Sequence, residues 1–248
     1  MAHRRIGRIG MLLTMSVLCV CSLSCADPPT SGADYAARRN AMVDGIVGRY
    51  SIEDDTVVQA LRSIPRHLFV PANVRESAYV DTPLPIGNEQ TISAPSIVAV
   101  MTDLLRPRPD HVVLEVGTGS GYQAAVLSPL VKHVYTIEIV EPLAHSARAR
   151  LRELGYENVT VRAGDGYRGW PDHAPFDGII VTCAPERIPE PLVEQLKEGG
   201  RMVIPVGDEN GAQDLYLLTK QRGEVVKQAV LPVVFVPMTG EARDDPGR

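Results

Sequence analysis

The stretch Val112-Val113-Leu114-Glu115-Val116-Gly117-Thr118-Gly119-Ser120-Gly121-Tyr122 decides the architecture of this chain. A short apolar run ends in three alternating glycines, and a helical pattern opens near Tyr122. A continuous apolar run bounded by glycine suits a strand covered on both faces. The glycines permit φ > 0 and let the backbone approach a ligand with no Cβ in the way. Strand, glycine turn and helix together predict a crevice at the carboxyl end of a parallel sheet, with helix N–H groups pointing into it.

Spacing narrows the ligand. The dinucleotide fingerprint is G-x-G-x-x-G. Here the pattern is G-x-G-x-G, and Tyr122 stands where the third dinucleotide glycine would be. Glu138 closes the next apolar run, Val134-Tyr135-Thr136-Ile137-Glu138, about twenty residues further on. In doubly wound folds an acid at that point accepts hydrogen bonds from ribose hydroxyls. It would also repel a 2′-phosphate. The plainer reading, a strand–turn–helix with no ligand, loses ground once Glu138 is added.

The chain has 248 residues, enough for one α/β domain and an N-terminal extension. Apolar content of 44% and charge of 22% are ordinary for a globular protein. A net charge of −5 argues against non-specific nucleic-acid binding. Cys19, Cys21 and Cys25 lie near the N-terminus and only Cys183 lies beyond them, so the domain is no disulfide scaffold. Cys183, between Thr182 and Ala184, reads as a small buried residue rather than a nucleophile. No His/Cys cluster has metal-ligand spacing, and no metal is expected.

Residues 1–32 read as a leader and linker. Three arginines between His3 and Arg8 precede the apolar segment Ile9–Cys21 and then Ser22-Leu23-Ser24-Cys25-Ala26-Asp27. That order is a secretory-signal pattern, and the apolar run is short for a bilayer span. Ser24-Cys25 also resembles a lipoprotein cleavage site, with the leucine one position closer to the cysteine than usual. Export is therefore expected, with membrane contact only through a lipidated or uncleaved leader.

Further along, helices are predicted over Ala33–Arg49 and Asp54–Ile64, the second stopped by Pro65. His67, between two prolines, reads as packed rather than as a base. Three prolines and a glycine predict an irregular, anchored loop over Tyr79–Pro95. Ser93 can cap a helix beginning near Pro95. After the glycine turn come a helix to Leu130, strands over Val134–Glu138, Val159–Ala163, Phe176–Val181 and Arg201–Val206, and helices over Pro142–Leu154 and Pro189–Leu196. Gly199-Gly200 is read as the stop of the last helix. Leu215–Lys220 and Val225–Val234 predict an antiparallel hairpin. Alternating strand and helix predicts a parallel sheet with helices on both faces. Gly117 to Gly121, Glu138, Asp165-Gly166 and Thr182 then converge at the strand C-terminal ends.

At Ala78-Tyr79-Val80-Asp81-Thr82-Pro83-Leu84-Pro85-Ile86-Gly87, followed by Gln90-Thr91-Ile92-Ser93-Ala94-Pro95, the chain resembles protein-L-isoaspartate O-methyltransferases. Val113 to Tyr122 is similar to that family's S-adenosylmethionine motif, and Phe176 to Pro185, Leu196 to Gly207 and Phe235 to Thr239 also match. The resemblance covers roughly Asn40 to Thr239. It implies a Rossmann-like methyltransferase fold over residues 33–239: a mostly parallel seven-stranded sheet with the last strand antiparallel. It implies S-adenosylmethionine as co-substrate, and damaged proteins and peptides containing L-isoaspartyl residues as partners. It makes Ser93 the active-site hydroxyl. It assigns the cofactor to Gln90, Thr91, Ile92, Gly117, Thr118, Gly119, Ser120, Gly121, Glu138, Asp165, Gly166 and Thr239. A monomer is expected. The family is mostly cytoplasmic, against which the leader stands out, and residues 240–248 read as a frayed tail.

The chemistry so implied needs no strong base, because a carboxylate is already ionised at pH 7. A serine hydroxyl can hold one carboxylate oxygen without protonating it. Glu138 is assigned the ribose, Asp165 the adenine amino group, and the glycine-turn N–H groups the methionine carboxylate. Two other classes compete: a nicotinamide-dependent oxidoreductase, and an exported, non-catalytic peptide-binding protein on the same fold.

Overall fold

The apolar runs assemble into one sheet. The structure, a computed structural model, describes Met1, residues 32–208 and residues 211–243. The chain divides into two units, Met1–Thr30 and Ser31–Arg248, and every element below belongs to the second. The expected leader lies outside the described residues, apart from Met1 and Gly32 at its ends.

Helix α1, Gly32–Tyr50, and helix α2, Asp55–Ser63, pack together through Val43, Ile46, Val57 and Leu61. Asp54 caps α2 by accepting the Thr56 N–H at 2.8 Å. Tyr79–Pro95 is more regular than expected. It holds a small antiparallel hairpin, β1 Leu84–Gly87 and β2 Gln90–Ile92, with Leu84 opposite Ile92. Gly87, Asn88 and Glu89 turn it, all with positive φ. Pro85 is tolerated because a two-stranded ribbon needs no donor on its outer edge.

Helix α3 spans Pro95–Leu105, and Ser93 does not cap it. The N-cap is Ala94, without a side-chain bond, and Asp81 accepts the Ser96 N–H at 2.9 Å instead. The capping carboxylate thus comes from across the hairpin, and the Ser93 hydroxyl stays out of the helix end.

Strand β3, Val112–Val116, leads into α4, Tyr122–Leu127, which ends in a 3₁₀ turn over Ser128–Leu130. Then come β4 His133–Glu138, α5 Glu141–Glu153, β5 Val159–Ala163, β6 Phe176–Val181, α6 Glu190–Glu194, β7 Leu196–Gly207, β8 Gln213–Gln221 and β9 Glu224–Val233. The order is β5-β4-β3-β6-β7-β8-β9. Pairings from β5 to β7 are parallel, and β7–β8 and β8–β9 are antiparallel. This is the Rossmann-like, mostly parallel sheet expected, with the last strand antiparallel to its neighbour. Gly199-Gly200 lies inside β7 and does not stop a helix. A Cβ at Gly200 would sit 2.8 Å from the Lys197 carbonyl and 3.0 Å from that of Asp177, so close backbone approach demands the glycine.

Both sheet faces are buried. Val113, Val134, Ile180 and Val203 face the core shared with α1–α4, while Leu114, Val116, Ile179 and Met202 face a second core around Phe176 and Leu192. The period of two places Glu115 on the Val113 face. Beyond β9 the chain returns over the sheet's carboxyl edge. Ala184 N–H donates to the Val236 carbonyl and Met238 N–H to the Ala184 carbonyl, each at 2.8 Å. Residues Gly240–Arg243, expected to fray, form a 3₁₀ turn. The Asp165 carboxylate accepts the Glu241 N–H at 2.7 Å, and Arg168 pairs with the Glu241 carboxylate at 2.7 Å. These two anchors explain the order; residues 244–248 lie outside those described. Among the described residues no helix is long and apolar enough to cross a membrane.

Candidate active site at the carboxyl edge of the sheet

A cleft opens at the carboxyl ends of β3, β4 and β6, where an open parallel sheet places its ligand crevice. Gln90, Thr91, Ile92 and Ser93 line it from the hairpin side. Gly117, Thr118, Gly119 and Ser120 line it from the glycine turn, and Glu138, Gly166 and Thr239 complete the predicted set. Gly121 and Asp165 do not line it.

The glycine turn is held from within. The N–H groups of Gly117 and Thr118 donate to the Ile137 carbonyl at 2.8 and 3.2 Å, and that of Gly121 to the Thr118 carbonyl at 2.8 Å. Gly119 N–H donates to Glu138 Oε2 at 2.7 Å. Only the Ser120 N–H of the turn keeps no partner among the described residues. The expectation that the turn's N–H groups greet a carboxylate is therefore corrected: most already serve the loop.

The glycines have different reasons. A Cβ at Gly117, φ +97°, would run into the Thr182 hydroxyl. Thr182 Oγ1 donates to the Gly117 carbonyl at 2.6 Å, so this threonine braces the loop. Gly119, φ +52°, turns its open side to Ile86 of β1. Gly121, φ +87°, faces Leu151 of α5 at 3.1 Å, which is packing and explains its absence from the cleft.

Glu138 is 5% exposed. Its Oε1 accepts the Val140 N–H at 2.8 Å while Oε2 holds Gly119. A carboxylate has about four lone-pair sites, so capacity remains for two hydroxyls of an occupant. Ile137, Ile139, Val140, Cys183 and Met238 lie around it in the cleft wall and supply an apolar surface for a flat base. Asp165 is engaged by the N–H groups of Tyr167 and Glu241, at 2.9 and 2.7 Å. It anchors the returning C-terminal segment and leaves the cleft surface to Gly166. A Cβ on Gly166 would sit 2.5 Å from Val116.

Ser93 is half-buried, lines the cleft, and its hydroxyl makes no hydrogen bond among the described residues. Cys183 also lines the cleft. Burial, and then the Glu138 and Asp165 carboxylates, push its thiol up to about 12, so it stays protonated and unreactive. His67 is packed, its ring stacked on Tyr35 at 4.1 Å and its Nδ1 2.7 Å from the Tyr79 hydroxyl. Among the described residues no three His, Cys, Asp or Glu side chains gather to hold a metal ion.

Three polar residues went unnoticed in the sequence. Glu115 is fully buried, and neither carboxyl oxygen has a partner at full hydrogen-bond geometry among the described residues, Thr136 being the nearby hydroxyl. Burial pushes it up to about 8; the Thr136 hydroxyl pulls the other way and the Glu138 carboxylate adds to the rise. An acid inside an apolar strand was the available signal. Gln123, in the otherwise apolar helix α4, lines the cleft. Arg66 is fully buried, donates to the Ala78 carbonyl at 2.9 Å, and stacks over the Tyr122 ring at 5.0 Å. It joins the Ala78–Thr82 segment to the residue that follows the glycine turn.

The family model described as protein-L-isoaspartate(D-aspartate) O-methyltransferase matches residues 37–243. The protein-L-isoaspartate O-methyltransferase 2 of Polaromonas sp. is 59% identical over 189 residues, covering 76% of this chain and 90% of that protein. The enzyme of the same name from Syntrophobacter fumaroxidans is 49% identical over 251 residues, covering 97% and 99%. Among solved structures, a protein-L-isoaspartate O-methyltransferase is similar with a TM-score of 0.75 and 30% identity, covering 82% of this chain and 67% of its own. A Plasmodium falciparum protein described as a putative member, in complex with S-adenosyl-L-homocysteine, has a TM-score of 0.69 and 26% identity, covering 81% and 98%. With its sheet order, its glycine turn and a match along most of its length, this chain belongs to the protein-L-isoaspartate(D-aspartate) O-methyltransferase family.

Proposed function

We propose that this cleft is where the chain performs its family's reaction: transfer of a methyl group from S-adenosylmethionine to the free α-carboxylate of an L-isoaspartyl residue in a damaged protein. The observation that carries the reading is one cleft holding both a Glu138-clamped glycine turn and an unengaged serine hydroxyl. A nucleoside fits the residues present: lone pairs of Glu138 for ribose hydroxyls and an apolar wall for the base. When bound, S-adenosylmethionine supplies an electrophilic methyl on a sulfonium.

The chain's part is positioning and exclusion of water. The Ser93 hydroxyl donates to one oxygen of the incoming carboxylate and orients the other. No residue needs to remove a proton from a group already ionised at neutral pH. The backbone nitrogen of the next residue then attacks the ester carbonyl by itself and expels methanol, giving a succinimide whose hydrolysis returns part of the chain to normal aspartate.

Neither competing class has support. The site of the third dinucleotide glycine is filled by Tyr122, whose ring is buried against Phe69 and Arg66. Action as a monomer is part of this proposal, and light scattering on the purified protein would test it. The leader motivates export, which N-terminal sequencing of the native protein would test. The function itself is tested with labelled S-adenosylmethionine and paired peptides differing only in Asp or isoAsp. Label on the isoAsp peptide alone is expected; equal labelling would remove the assignment.

A further inference from the structure

Gln123 sits on the first turn of α4, is 7% exposed, and forms part of the cleft wall. Its Nε2 donates to Thr102 Oγ1 of α3 at 3.0 Å. Thr102 Oγ1 in turn donates to the Val98 carbonyl, one helical turn back, at 2.7 Å. A hydroxyl has a single proton. Because that proton goes to Val98, Thr102 can only accept from Gln123. The NH₂ end of the amide must therefore face Thr102, and Oε1 must face away from it.

Oε1 is buried and has no hydrogen-bond partner among the described residues. A buried acceptor left unpaired is destabilising, a cost that a leucine at this position would avoid. No protein donor among the described residues satisfies it, and Gln123 lines the cleft, so an occupant there can bring one. The terminal torsion of a glutamine is soft, so Oε1 can follow such a donor while Nε2 keeps Thr102. Position selects the donor. Helix α3 opens two residues after Ser93 and α4 directly after Gly121, and the Thr102–Gln123 bond joins the two helices. The cofactor carries three kinds of N–H or O–H donor: ribose hydroxyls, the adenine amino group and the α-ammonium. Glu138 takes the ribose hydroxyls and Ile139, Val140 and Met238 put the base on the β4 side, whereas Gln123 stands on α4 beside the glycine turn, the side left to the methionine half and its ammonium.

We infer that Gln123 contacts the cofactor, its amide oxygen accepting a hydrogen bond from the α-ammonium of the methionine half. The inference rests on the placement of S-adenosylmethionine in this cleft. It makes Gln123 the residue that distinguishes an amino-acid-bearing nucleoside from a deaminated one.

Calorimetry with two ligands tests it: S-adenosylhomocysteine, and the same thioether lacking the α-amino group. Gln123→Leu is expected to weaken S-adenosylhomocysteine about tenfold, the effect of one buried bond to a charged donor, and to leave the deaminated ligand unchanged. Equal weakening of both ligands would mean packing alone and overturn the assignment, as would unchanged binding of both. A rise confined to the KM of an isoaspartyl peptide would give the oxygen to the substrate's N–H and overturn it too. Thr102→Val, which leaves Gln123 in place without its anchor, serves if the leucine variant does not fold. It should weaken S-adenosylhomocysteine selectively and by less, and a non-selective loss again overturns the assignment. If the wild type binds neither ligand, the reading of the cleft itself fails.

Discussion

The glycine turn and the Gln90–Ser93 arm face the same cleft, yet the first has almost no hydrogen-bonding capacity left and the second keeps nearly all of its own. In the turn, the N–H groups of residues 117, 118, 119 and 121 are engaged, and Thr182 holds the Gly117 carbonyl. On the arm, Ser93 has no partner, Thr91 is exposed, and the one side-chain bond of Gln90 is a long 3.4 Å contact to the Asn88 carbonyl. The difference teaches what each wall is for. The turn is a finished cradle whose shape is set before any ligand arrives. The arm offers polar groups that only an occupant can complete, which suits a substrate presented by many different protein sequences.

The sharpest way to break the contrast is Ser93→Ala. With no internal bond to lose, the variant should melt within about 0.5 kcal/mol of wild type. It should keep its affinity for S-adenosylhomocysteine and lose about 100-fold in kcat on an isoaspartyl peptide. A matching fall in thermal stability would show that the arm is as internally committed as the turn.

Glu138→Gln probes the other wall and should behave differently. It keeps the volume but turns an amide donor toward the Gly119 or the Val140 N–H. Stability and S-adenosylhomocysteine affinity should fall together, the latter by about 1–3 kcal/mol. An unchanged dissociation constant would take Glu138 out of the site.

The smallest effect on turnover concerns Glu115, on the strand that feeds the cradle, where stability carries the readout. An acid whose pKa rises on folding, here from 4.5 to about 8, holds its proton more tightly folded than unfolded. Its contribution to stability is complete below pH 4.5 and drains away as the pH climbs toward 8. Glu115→Gln should therefore flatten that decline, gaining about 4 kcal/mol on wild type between pH 5 and pH 8.5 in urea unfolding. Parallel curves would exclude Glu115 as the source.

Much of the fold was legible because its signals are local. Val112–Val116 and Phe176–Val181 are apolar runs of strand length, and Gly155 ends α5 with φ +82° as a helix-stopping glycine should. Errors fell where distant partners decide. Asp81 caps α3 from 15 residues away, which freed Ser93 from the cap it was expected to be. Positive φ at Asn88 and Glu89 made a hairpin of a proline-rich loop. Of the predicted site residues, the cleft gathers all but Gly121 and Asp165, and those two act on its surroundings: one admits Leu151, the other ties down Glu241. Glu115, Gln123 and Arg66 escaped notice because a polar residue inside an apolar pattern is assumed to find a partner that the pattern does not display.

The segment from Val236 to Arg243 puts the last turns of the chain over a site whose first contributions come from Gln90 to Ser93. A polypeptide interrupted just after β9 would own every strand and still lack Thr239 and the Asp165 latch. Such a product would carry an intact sheet beside a cleft that lacks one of its sides.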